Sequence, residues 1–128
     1  MELKLTDFSK KAGGRSRGQE ACNELQRIIA EQKPSEIIIA LTGFNLISSS
    51  FIDELVIQSN NFSKEYNVKI FFRVQEQEIL EKLQKASGIR EIPVKYFWKE
   101  SEQLQDVEPI YPEPMQEPIM GLPPEPSY

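Results

Sequence analysis

The sequence predicts a single small α/β domain over residues 1–99, a mostly parallel or mixed four-stranded sheet packed by three helices, followed by an acidic proline-rich tail at 100–128. Three observations point to it. Strand-like and helix-like segments alternate along the chain, an order that calls for a mainly parallel sheet with right-handed crossovers. Ile37 to Leu41 is apolar without alternation, the pattern of a central strand flanked by helices on both faces. The chain has 128 residues, 39% of them hydrophobic, which is enough for one core and too little for two.

Leu3, Leu5 and Phe8 nearly alternate with polar neighbours as a short edge strand, and Gly13-Gly14 breaks it. Ser16 and Gln19 have the spacing of a capping box, and Ala21, Cys22, Leu25, Ile28 and Ile29 recur at helical spacing. A first helix is therefore expected from about Arg17 to Gln32, stopped by Pro34. Cys22, on the apolar face, reads as a small core residue. After the strand at Ile37–Leu41 comes a polar turn, Thr42 to Ser49. Ser50 is the expected N-cap of the second helix, and Asp53 and Glu54 place negative charge at the positive end of its dipole. Ile52, Leu55, Val56, Ser59, Phe62 and Tyr66 make its apolar stripe. Val68 to Val74 is the next strand, and a third helix spans Gln75 to Ser87, with Gly88 suited to a left-handed C-cap. Ile92, Val94 and Tyr96 alternate with Pro93, Lys95 and Phe97 as a last strand, whose proline requires an edge or a strand start.

Seven of the nine prolines lie between Pro109 and Pro126, interleaved with glutamates and with Ile110, Tyr111, Met115, Ile119, Met120 and Leu122. Such a segment lacks donors for a sheet and favours polyproline II or disorder, so it reads as a tail. Its apolar residues exceed what solubility needs, which makes Tyr111, Met115 and Met120 candidates for docking on a partner.

The net charge of −5 is unevenly placed: residues 1–100 carry 15 basic and 14 acidic side chains, and residues 101–128 carry 0 and 6. A nearly neutral body argues against nucleic-acid binding, which depends on clustered Lys and Arg. Lys10, Lys11, Arg15 and Arg17 form the basic cluster. A lone cysteine, no signal-like leader and no apolar run near the roughly 20 residues a bilayer needs make a cytoplasmic, non-membrane protein the expectation. There is no histidine, which removes the usual general base, the Ser-His and Cys-His pairs and most zinc or iron ligand sets. No Ser-x-x-Lys motif sits in the turn, and Gly13-Gly14 is too short for a phosphate loop. The protein is therefore read as a non-enzyme with no cofactor and no metal.

The stretches GRSRGQEACNELQRI, EIIIALTGFNLI and SSSFIDELV, in that order and spacing, resemble the STAS-like domain family of small bacterial modules. Ser16-Arg17, Thr42-Gly43-Phe44 and Phe51-Ile52-Asp53-Glu54-Leu55 carry the resemblance, which covers Arg15 to about Val74. The broader relatives are the anti-sigma factor antagonists, whose turn reads Asp-Ser-Ser-Gly, with the second serine phosphorylated by a cognate ATP-binding kinase. Aligned on that turn, Ser50 takes the phosphoacceptor position and Ser49 the serine before it, while Ser48 stands for the Asp and Phe51 for the Gly. The resemblance implies a regulatory module that binds a protein partner, a histidine-kinase-like ATPase or a serine kinase, with a homodimer as an open alternative. Thr42, Asn45, Ser48, Phe51, Asp53, Glu54, Arg15 and Arg17 are then the expected contact residues. Bulk at Phe51 is expected to limit a kinase's access, and Asp53 and Glu54 to repel a phosphate one turn earlier. The alternative is an accessory protein that docks through its proline-rich tail.

Overall fold

A computed structural model describes residues 1–112. The elements run β1 (Glu2–Lys4), a 3-10 turn (Leu5–Asp7), α1 (Arg15–Gln32), β2 (Glu36–Ala40), α2 (Ser49–Tyr66), β3 (Lys69–Val74), α3 (Gln77–Arg90), β4 (Lys95–Trp98) and β5 (Leu104–Asp106). The five strands form one sheet in chain order, β1 to β4 parallel and β5 antiparallel to β4. The α/β class and the three helices are as expected. The sheet has one strand more.

That fifth strand corrects the expected end of the folded body at residue 99. Phe97 pairs with Leu104 and Lys95 with Asp106, and Val107, 4% exposed, donates its amide to Val94 O at 2.8 Å. The chain then lies against α3, where the Ile110 amide donates to Gln84 O at 2.9 Å. Gly88 permits this approach: a Cβ there would stand 2.0 Å from Ile110 O. It lies inside α3 and is no C-cap, a role taken by Glu91 in the left-handed conformation. The first strand is also shorter than expected, Leu5 having entered the 3-10 turn with its side chain in the core.

The arrangement of layers differs from expectation as well. A parallel sheet in strict chain order, with right-handed crossovers, places every helix on the same side. Contacts of α2 with both α1 and α3 show that it does so here. Ile37 and Ile39 of β2 and Phe72 and Val74 of β3 are buried under that layer, together with Leu25, Ile29, Phe51, Leu55 and Leu83. Ile38, expected under a second helix layer, is only half-buried and sits opposite Phe71 on the helix-free face. There Phe71 and Phe97 meet edge to face at 6.1 Å, and the Arg73 guanidinium lies 5.0 Å from the Phe97 ring centre while pairing with Glu2. A cation over an aromatic face takes the place of a packed helix.

Among the described residues no helix is long and apolar enough to cross a membrane.

Candidate functional site

The central helix, α2, begins at the loop that leaves the carboxyl end of β2, the end of a parallel sheet where open α/β folds place their ligands. Its N-cap is Ser48, two residues before the expected Ser50: the Ser48 hydroxyl accepts the Phe51 amide at 3.2 Å. The same oxygen accepts the Gly14 amide at 2.8 Å, and the Ser48 amide donates to Ala12 O at 2.9 Å. All three serines are competent caps. The second bond, from the chain entering α1, selects the first of them. Gly14 in turn is the N-cap of α1, at φ 84°, so α1 starts at Arg15 and Ser16 lies within its first turn. With Ser48 as cap, Ser49 and Ser50 fall in the first turn of α2, exposed and half-buried respectively.

One turn further on, Asp53 and Glu54 are 9% and 5% exposed although both are charged. Burial of a carboxylate demands partners, and here they come from the flanking helices. Arg90 of α3 donates from Nε to Asp53 Oδ1 at 2.9 Å and from Nη2 to Oδ2 at 2.6 Å. Arg15 of α1 donates from Nη2 to Asp53 Oδ2 at 2.7 Å and from Nη1 to Glu54 Oε1 at 3.0 Å. Gln58 completes the Glu54 carboxylate at 2.9 Å. Two neighbouring side chains that point about 100° apart on the helix are thus joined by one guanidinium that spans both.

The hydrogen bonds from Arg90, and after them those from Arg15, hold the Asp53 carboxyl below its ordinary value of 3.8 against the opposing effect of burial. A depressed folded-state value means that this carboxylate stabilises the fold above the unfolded value, near pH 3.9, and that the contribution is lost as pH falls through the folded value. Asp53→Asn is expected to cost between the ~1 kcal/mol of an exposed pair and the ~3–5 kcal/mol of a fully buried one, since both arginines keep about 40% of their surface. In urea unfolding the gap between wild type and variant should be constant from neutral pH down to about pH 4 and close below it; a gap that widened in acid would refute the assignment.

Ser49, Ser50, Arg15 and Asp53 face Lys82, Lys85, Ala86, Ile89 and Arg90 across an open groove of about 380 Å³ between α2 and α3. Its walls carry four cations and one carboxylate, and Asp53 is already bonded to two of the four. Lys82 donates to Ile47 O at 2.5 Å, tying α3 to the loop, and lies 3.8 Å from Glu78. Lys85 is exposed and, among the described residues, makes no ion pair. Ile89, 56% exposed, adds an apolar edge, and Leu46, 65% exposed, stands in the loop beside Ile47. The groove can take an anionic group with an apolar neighbour. Among the described residues no three Cys, Asp or Glu side chains gather as a metal site.

Of the expected contact residues, Arg15, Ser49, Ser50 and Asp53 come together in this groove. Phe51 does not: it is 0% exposed, its ring packed into the core beneath the serines, because the third position of the helix faces the sheet once Ser48 is the cap. It offers no surface to a partner and stands over neither serine. Glu54 lies behind Arg15, equally covered. Arg17 pairs with Glu20 and lines a separate groove with Lys10, Lys11 and Phe8, so the basic cluster is split by the start of α1. Thr42 is half-buried and Asn45 exposed in the loop, outside the groove. Tyr111 is 65% exposed; Met115 and Met120 lie outside the described residues. Sequence reasoning missed Lys82, Lys85 and Arg90. Their signal was a basic face on the third helix, visible only once that helix is known to lie beside the second.

Cys22 is buried between α1 and its neighbours, and burial, aided by the charge of Glu54, pushes its thiol up to about 12. Both effects disfavour the nucleophilic thiolate at neutral pH.

Fold and groove together define a small α/β domain with a cation-rimmed cleft at the start of its central helix. No protein-family model, curated protein or solved structure matches this chain.

Proposed function

We propose that the protein is a non-catalytic regulatory interaction module of STAS-like type. It binds a protein partner through the 42–54 turn, the start of α2 and the groove beside them, and is switched by phosphorylation of Ser50, with a histidine-kinase-like ATPase or a serine kinase as partner. One observation carries the reading: Ser50 lies in the first turn of α2 on the wall of a groove rimmed by Lys82, Lys85, Arg15 and Arg90.

A phosphoserine adds a charge of about −1.5 to −2 and strong acceptor oxygens. At Ser50 it would meet lysine charge across the groove and amides that the helix itself leaves without partners. The two departures from the antagonist turn, and the acidic pair that follows it, have physical counterparts. Ser48 supplies the same capping chemistry as an aspartate. Phe51 is turned into the core and leaves the hydroxyls accessible. The like charge of Asp53 and Glu54 is offset by Arg15 and Arg90. Exposed Leu46 and Ile89 supply the apolar contacts that a protein partner needs.

Incubation of the full chain with ATP and lysate, followed by phosphopeptide mass spectrometry, is expected to place phosphate on Ser50, and Ser50→Ala to abolish it. Absence of phosphate from Ser48, Ser49 and Ser50 would remove the switch. Lys85→Glu is expected to weaken partner capture while leaving stability within ~0.5 kcal/mol, as at an exposed surface site.

Exposed Ile110 and Tyr111, at the root of the tail, favour the second reading, an accessory protein that docks through that tail. Capture that survives Lys85→Glu but not Tyr111→Ala would select it.

A further inference from the structure

Given the phosphoswitch at Ser50 set out above, on which this rests, we propose that Lys82 is the residue that reads the phosphate. Its ammonium latches the 42–47 loop through Ile47 O in the unmodified protein and leaves that carbonyl for the phosphate once Ser50 is modified. The latch is one bond. Lys82 Nζ donates to Ile47 O at 2.5 Å, and among the described residues no other hydrogen bond joins residues 42–47 to the rest of the fold. Both ends of the loop are pinned separately: the Leu41 amide donates to Arg73 O at 2.9 Å, and Ser48 is bonded to Ala12 and Gly14. Between these pins the Ile47 side chain is buried and Leu46, beside it, is 65% exposed. Whatever holds the Ile47 peptide therefore sets how Leu46 is presented to a partner.

Lys82 is also the cation of the groove with the most to gain from an anion. Its side chain is 15% exposed, and among the described residues its only ion-pair partner is Glu78, 3.8 Å away and itself 67% exposed. An ammonium carries three donors, and one neutral carbonyl with a distant carboxylate compensates a mostly buried charge poorly. Arg15 and Arg90 are placed differently. Their donors are committed to Asp53 and Glu54, and turning either one to a phosphate would weaken the hold on carboxylates only 9% and 5% exposed. Lys85 is exposed and must give up side-chain freedom to be held. Ser50 lines the same groove as Lys82 and lies three residues after Ile47. A phosphate there offers Lys82 a bond between two charges in place of one to a neutral oxygen, and the group left behind is a carbonyl rather than a buried carboxylate.

The experiment uses the full-length chain with phosphoserine placed at position 50 during translation, so that no kinase is needed. Two NMR signals are read with and without the phosphate: the carbonyl carbon of Ile47, which reports the bond it accepts, and the phosphorus, whose titration reports the cation beside it. In the wild type, phosphorylation is expected to move the Ile47 carbonyl to the position it holds in unmodified Lys82→Met, and to give a second phosphate pKa below the usual ~6. In phosphorylated Lys82→Met the carbonyl should stay where it was and the phosphate pKa should rise again, while Lys82→Arg should keep it low. An Ile47 carbonyl that the phosphate leaves in place, or that moves as far in Lys82→Met as in the wild type, overturns the proposal. So does a phosphate pKa that responds to Lys85→Met and not to Lys82→Met. Because the phosphate is installed rather than acquired, the latch can fail while lysate still phosphorylates Ser50, and hold while it does not.

Discussion

Phe51→Ala is expected to lower the unfolding free energy by about 3–5 kcal/mol, the usual loss for a fully buried Phe truncated to Ala. The side chain is 0% exposed and sits one helical turn before Leu55, among the core residues that join α2 to the sheet. Against the roughly 5–15 kcal/mol that holds a typical domain together, a loss of that size removes a large share of the stability. Leu46→Ala, at a side chain 65% exposed in the same loop region, is the paired control and should stay within ~0.5 kcal/mol. Urea unfolding of the two variants separates a structural from a contact role. Equal small effects would return Phe51 to the surface and undo the account of the serine turn given above.

Gly88→Ala should destabilise by about 1–3 kcal/mol, the range for forcing atoms into occupied space, although the same change in an exposed helix interior gains up to ~1 kcal/mol. The sign is the informative part. Gly88 has helical backbone, so alanine is not strained there by its own torsions; the conflict is with Ile110, whose carbonyl oxygen and carbon would lie 2.0 and 2.5 Å from the new Cβ. These are backbone atoms and cannot swing aside alone. The 107–111 segment must lift, breaking the bond from Ile110 to Gln84 and loosening Val107. Hydrogen exchange should report this as lost protection at the Ile110 amide with α3 intact. A stabilised variant with a protected Ile110 would mean that the segment is not seated on the helix.

Much of the fold was legible because its signals are local and apolar. The stripes of α1 and α2 and the run Ile37–Leu41 announce their elements without tertiary help. The layer count was not legible, because Ile38 looks the same whether a helix or a neighbouring Phe71, Phe97 and Arg73 covers it. Strand β5 was invisible for the opposite reason: Leu104, Gln105 and Asp106 are all exposed, and what makes them a strand is main-chain pairing with β4, which leaves no apolar pattern. In the candidate site, the acidic pair Asp53 and Glu54 and the basic cluster that contains Arg15 stand out in the sequence. Arg90, the stronger partner of Asp53, comes from 37 residues away, and only the packing of α3 on α2 brings it there. The choice of Ser48 over Ser50 as cap likewise depends on Gly14, a residue from before the first helix.

Strand order equals chain order in this sheet. During synthesis each new βα unit therefore finds its neighbour already made, and no strand has to wait unpaired for a distant partner still inside the ribosome. At about 5–20 residues per second, the growing sheet adds its strands at one edge only, the other edge being β1 throughout. The last strand closes that edge with the polar, charged surface of Gln105 and Asp106 rather than with another apolar ribbon. Such an edge discourages pairing with a second molecule, so among the described residues the antiparallel turn-back at β5 ends the sheet on a polar margin ill suited to further pairing.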